Sequence, residues 1–320
     1  MIVPIILFIV GLLLLIKGGD WFVDGATGIA HRFRIPEVIV GATIVSIGTT
    51  LPEVMVSVSG ALGGQGSIAY GNAIGSIICN TALIAALTIA VKPGKADTQS
   101  LKMPVLFFFI AAAIYVVAAY VLGYFYMWVG ILLLAVFVLY MIINVKKGLE
   151  KKGESETNYN TGSRSLVLQI GSLVLGAALI AFGSDLLVDN GTIIARELGV
   201  PETVIALTFI AIGTSLPELV TAITSLLKGH SALSLGNIIG ANVFNLVLVS
   251  GTSVALAPFA VPVGNTVFGM NSSLVIDIPV MLLVMSLLII PTFITKKLTR
   301  FQGILLLCIY AAFCALQFIL

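Results

Sequence analysis

Gly48-Thr49-Thr50-Leu51-Pro52-Glu53 returns as Gly213-Thr214-Ser215-Leu216-Pro217-Glu218, and the reading of that pair decides the fold. The offset is 165 residues, and it holds without a gap outside the motif: Asp20 maps to Asp185, Asp24 to Asp189, Pro36 to Pro201, Gly71-Asn72 to Gly236-Asn237, and Asn80 to Asn245. From Gly19 to Asn80, 22 of the 62 aligned positions are identical. Both copies lie in apolar surroundings. The chain of 320 residues is 59% hydrophobic and only 9% charged, with a mean hydropathy of +1.16, a composition that excludes an ordinary soluble domain. The sequence is therefore two copies of one membrane unit. Each copy places a carboxylate, a proline and hydroxyls where lipid demands hydrocarbon.

Apolar runs long enough to span a bilayer, about 20 residues each, predict ten helices near 2–17, 38–62, 67–91, 103–122, 125–145, 166–187, 201–227, 231–257, 274–292 and 301–319. The first run lacks a basic leader and is expected to be a retained helix, not a signal peptide. The polar stretch 146–164 reads as a flexible linker between a first unit, 1–145, and a second, 165–320. With connections numbered in order, the odd ones hold 15 of the 16 Lys and Arg residues and the even ones only Arg196. That bias places the odd connections, with 146–164, in the cytoplasm and both termini outside a multi-pass cell-membrane protein. Five helices per unit turn the second copy upside down. The predicted fold class is all-α integral membrane, ten transmembrane helices as two inverted five-helix repeats, a plan of secondary transporters with the site near the midplane.

Glu53 and Glu218 lie about 15 residues into their helices, at a depth where an isolated charge costs several kcal/mol. Such a residue faces a cavity, a partner or an ion. Pro52 and Pro217 cannot donate to the carbonyls four residues earlier. Each helix is therefore expected to kink or break, freeing carbonyl oxygens near Ser46, Ile47 and Gly48 and near Ala211, Ile212 and Gly213. Partly negative carbonyl ends favour cations. Thr49, Thr50, Thr214 and Ser215 add hydroxyls. Asn80 and Asn245, on the following helices, need polar partners and can aim amide oxygens at the same cavity. The spacing Gly71-xxx-Gly75 and Gly236-xxx-Gly240 reads as close helix packing. An all-oxygen set suits hard cations, calcium above magnesium because calcium accepts six to eight oxygens in flexible geometry. The odd number of cysteines, Cys79, Cys308 and Cys314, with no CxxC spacing, reads as packing and not as a disulfide framework or zinc site.

These residues resemble the calcium/cation antiporter superfamily in its prokaryotic sodium/calcium exchanger branch, over nearly the whole chain. The specific part is the pair of repeats, Gly48 to Glu53 with Gly71 to Asn80, and Gly213 to Glu218 with Gly236 to Asn245. The resemblance implies exchange of calcium for sodium, with helices one and six sliding past a static core. It implies that Glu53 and Glu218 share calcium, assisted by Thr49 and Thr214. Sodium sites would also use Thr50, Ser215, Ser76 and the carbonyls of Ser46 and Ala211. Two positions depart from the family pattern: Asn245 stands where aspartate is frequent, and Ala241 where serine is. The second half thus lacks a carboxylate and a hydroxyl, which predicts an altered sodium site and stoichiometry. Two glutamates neutralise one calcium, two sodium ions or two protons.

The function expected is a secondary active antiporter exchanging Ca2+ for Na+ by alternating access. The alternative is a Ca2+/H+ antiporter in which the same glutamates take up protons. A cation channel is disfavoured because no filter loop or charged ring is evident. An enzyme is disfavoured because neither His31 nor His230 neighbours the carboxylates; both read as solvated residues at helix ends. Asp20, Asp24, Asp185 and Asp189 read as interfacial capping and solvated residues at the ends of helices one and six; the alternative is that they attract cations to the mouths of the access paths. The partners expected are the transported ions and membrane lipid, with no cofactor and no nucleic acid, and a monomer is sufficient.

Overall fold

The computed structural model describes residues 2–150, 165–198, 213–263, 266–267 and 269–319. Nine helices among them are long and apolar enough to cross a membrane, and a tenth, Leu216–Leu227, is shorter. In chain order they are α1 (Ile2–Phe33), α2 (Glu37–Leu62), α3 (Gly66–Val91), α4 (Thr98–Leu122), α5 (Met127–Glu150), α6 (Leu166–Glu197), α7 (Leu216–Leu227), α8 (Ser231–Leu256), α9 (Ser273–Thr295) and α10 (Arg300–Ile319). The start expected for the seventh helix, and most of the 146–164 linker, lie outside the described residues.

Short antiparallel pairings hold the connections together. Gly94–Lys95 pairs with Lys297–Leu298, and Tyr124–Phe125 with Phe259–Ala260. The first joins connections three and nine, the second connections four and eight. Odd thus meets odd and even meets even, as ten spans require.

The first and sixth helices do not end where hydropathy placed their ends, at 17 and 187. Each runs for 32 residues, about 48 Å against a hydrocarbon core of about 30 Å, so each tilts or projects beyond it. Charges misled the reading because each finds a partner, within α1 or across from it. Lys17 Nζ lies 5.7 Å from the Trp21 ring centroid, and Asp20 and Asp24 both pair with Lys228. The four aspartates are therefore not at helix ends.

Glycines press α1 against α6. A Cβ on Gly11 would stand 2.8 Å from the carbonyl oxygen of Gly183, and one on Gly18 would stand 2.9 Å from that of Gly176. Gly11 and Gly176 are repeat mates, as are Gly18 and Gly183. The contact is therefore two-fold and antiparallel, so the repeats are inverted. The pair shares a small apolar cluster with α2 and α8, including Leu15, Phe22, Ile180, Val45 and Leu233. The main core, built around Ile77, Phe108, Tyr140, Phe244 and Met285, belongs to α3, α4, α5, α8 and α9.

Candidate functional site

Glu53 on α2 and Glu218 on α7 are both fully buried, each directly after its proline. They are near enough for their charges to interact. The Thr49 and Thr50 hydroxyls of the first repeat reach toward the Glu218 carboxylate of the second without closing a hydrogen bond of normal geometry. The two motifs thus form one site and not two. Sixteen buried side-chain nitrogen or oxygen atoms among the described residues lack a hydrogen-bond partner, and ten of them belong to Thr50, Glu53, Asn80, Ser215, Glu218 and Asn245. Buried polar atoms are normally paired, and a buried carboxylate without a counter-charge is costly by several kcal/mol. Eight of those ten are oxygens, a concentration that suits a desolvated cation. Among the described residues no three His, Cys, Asp or Glu side chains gather into a site for a softer metal.

The backbone differs from expectation in the first half. α2 continues through Pro52 and does not break there. Membrane helices tolerate a proline that frees only one or two carbonyls. The irregularity lies upstream, as a π-helical turn over Gly41–Val45. In the second half α7 starts at Leu216 with Pro217 in its first turn and Ser215 as its cap. Ala211 lies outside the described residues. Asn80 and Asn245 open matching π-helical turns, Asn80–Ala85 and Asn245–Ser250, again 165 residues apart. A π-turn widens the helix and frequently marks a functional position. No hydropathy or spacing signal could have announced it.

Two asparagines position α2. Asn72 Nδ2 donates to the Glu53 carbonyl at 3.1 Å and to Ser57 Oγ at 2.8 Å. The Asn237 Oδ1 lies 3.2 Å from Ser46 Oγ and accepts from Thr49 Oγ1 at 3.3 Å. Ser46 also donates to the Gly41 carbonyl at 2.8 Å, so its hydroxyl serves the π-turn. Ser76 is buried one turn before Asn80. Thr214 differs from its mate Thr49: it is half-buried and lines a cavity of about 890 Å³ with Gly48, Pro52, Pro217, Asp185 and Asp189. Cys79, read as packing, lies beside Ser215 and Glu218; its place next to Asn80 was the available signal.

The glycine pairs are not equivalent either. A Cβ on Gly236 would meet the Val38 carbonyl oxygen at 2.3 Å, and one on Gly240 would meet Ser46 Oγ at 2.4 Å, whereas Gly71 and Gly75 have nothing within 4 Å. Close packing at this motif is confined to the second copy.

The sodium/calcium exchanger protein family matches residues 3–146 and 168–319. The putative antiporter CaxA of Alkalimonas amylolytica is 35% identical, covering all of this chain and 99% of its own. The sodium/calcium exchanger MaX1 of Methanosarcina acetivorans is 28% identical over 99% of each. A solved structure of the sodium-calcium exchanger NCX_Mj, soaked with sodium, superposes with a TM-score of 0.80 at 30% identity, covering 98% of both chains. The family match, the inverted helical repeats and the two buried carboxylates agree: this chain is a multi-pass membrane antiporter for cations and not an enzyme, and it belongs to the sodium/calcium exchanger family.

Proposed function

We propose that the protein exchanges calcium for sodium by alternating access, with odd connections in the cytoplasm, and that Glu53 and Glu218 hold the calcium ion between them. The observation that carries this reading is the convergence of two fully buried carboxylates, one from each inverted half, with all four oxygens unpartnered. Their two negative charges match one calcium or two sodium ions. Thr49, Thr50, Thr214, Ser215, Ser76, Asn80 and Asn245 supply neutral oxygens around them, with the Ser46 and Ala211 carbonyls as further sodium ligands. A third sodium would leave one positive charge in excess, and Asn245 does not provide the carboxylate that would balance it.

Proton coupling is the second reading, favoured by that same missing carboxylate, because two protons suffice to neutralise the glutamates when calcium leaves. Calcium uptake into proteoliposomes separates the two. The sodium reading requires uptake to follow an imposed sodium gradient at constant pH, and uptake driven only by a pH gradient overturns it. Asn245→Asp restores a third negative charge and is expected to steepen the sodium dependence of calcium flux. An unchanged Hill slope means that position 245 does not set coupling.

A further inference from the structure

The turn Lys228-Gly229-His230, between α7 and α8, ties α1 to the rest of the molecule at two points. Lys228 Nζ lies 2.7 Å from Asp24 Oδ1, 3.3 Å from Asp20 Oδ1 and 2.9 Å from the Asp20 carbonyl oxygen. His230 Nδ1 lies 2.8 Å from Glu37 Oε1, the same oxygen that His31 Nε2 of α1 meets at 3.1 Å. The histidines, expected to be solvated, are only about a quarter exposed.

The symmetry-related turn, Gly63-Gly64-Gln65, has the same shape. Gly64 and Gly229 both adopt positive φ, 77° and 85°, and Gln65 N–H donates to the Gly60 carbonyl as His230 N–H donates to that of Ser225. Its chemistry is different, because glycine replaces Lys228. Among the described residues no cation pairs with Asp185 or Asp189, the mates of Asp20 and Asp24. These two line the 890 Å³ cavity instead.

Behind the turn, Glu218, Thr221, Ser225 and Lys228 follow one another at spacings of three, four and three on one side of α7. Thr221 and Ser225 are fully buried, and both hydroxyls lack partners. Their mates on α2 are Val56 and Gly60, so this file exists in one half only. α1 packs on the adjoining face of α7: a Cβ on Gly19 would stand 2.7 Å from Thr224 Oγ1 and 2.8 Å from Val220.

We propose that Thr221 and Ser225 line the path from Glu218 to the membrane face where Lys228 lies, and that Lys228, by gripping Asp20 and Asp24, latches α1 over that path. At the symmetry-related position Asp185 and Asp189 have no such latch among the described residues. The asymmetry biases the transporter toward the state closed at the Lys228 face. This rests on the alternating-access reading of the site.

The test uses the full chain in lipid with Cys79, Cys308 and Cys314 replaced by alanine and a reporter, Ser225→Cys, probed with a water-soluble cationic thiosulfonate. Lys228→Met is expected to speed modification about two- to fivefold, the range of a partly exposed ion pair. Asp20→Asn with Asp24→Asn should match it. The charge-reversed combination Asp24→Lys with Lys228→Glu should return the slow rate, and the differences should shrink at high ionic strength. Equal rates with and without Lys228, or no recovery in the charge-reversed protein, overturn the latch. Calcium flux through the unmodified protein is measured in parallel: its absence defeats the exchanger reading, whereas normal flux with unchanged thiol rates defeats only the latch.

Discussion

Glu53→Gln is expected to weaken calcium binding about 10²- to 10³-fold, the cost of removing one partner from a buried ionic set, and to abolish calcium exchange. The Glu218→Gln protein should behave in the same way, because Thr49 and Thr50 of the first repeat face the second repeat's carboxylate and neither half owns the site. The ion-free proteins should have the opposite order of stability. Without calcium, two buried carboxylates whose charges repel stand unpaired. An isosteric amide removes one of them, so Glu53→Gln should melt higher than the unmodified protein in chelator and lose the stabilisation that added calcium confers. Thermal unfolding in detergent with chelator and with calcium reads both effects. A variant that retains near-normal exchange removes Glu53 from the mechanism.

Gly240→Val should be among the most damaging substitutions outside the carboxylates. Its Cβ would lie 2.4 Å from Ser46 Oγ and 2.5 Å from the Ala42 Cα, in the π-turn that α8 packs against. Backbone cannot yield as a flexible side chain does. The penalty should exceed the ~1–3 kcal/mol of ordinary overpacking, and the displaced α2 would carry Glu53 away from Glu218. We expect little folded protein, and no calcium-dependent stabilisation in what is recovered. The symmetry mate gives the control. Gly75 has nothing within 4 Å of a Cβ, so Gly75→Ala should keep exchange activity and match or raise the melting temperature, since alanine favours a helix over glycine by up to about 1 kcal/mol. Equal damage at both positions would show that the contact at Gly240 is not what matters.

That contrast shows where the sequence was readable. The repeat, the ten spans and the inverted plan follow from hydropathy, a fixed offset and the distribution of Lys and Arg, all carried by many residues at once. The candidate site was legible in its residue types, because a carboxylate next to a proline deep in apolar sequence has few structural uses. Its geometry was not. Gly236-xxx-Gly240 and Gly71-xxx-Gly75 share one spacing, yet only the first presses on a neighbouring backbone, a matter of which face each helix turns to the core. Lys17, Asp20 and Asp24 read as the end of a span because hydropathy counts charge and cannot see Trp21 or Lys228 satisfying it. The π-turns at Asn80 and Asn245 arise from packing and leave no mark in composition. Asn72 and Asn237 stood in the motif, but that both would hold α2 in place depends on an approach between helices that sequence does not encode locally.

The most direct measurement is a density map of the protein in lipid with calcium, compared with one in chelator. The account predicts one calcium-dependent peak between the Glu53 and Glu218 carboxylates, with oxygens from both at about 2.3–2.6 Å. Two carboxylates turned to separate surroundings with no shared peak, or a peak held by one half alone, would contradict it.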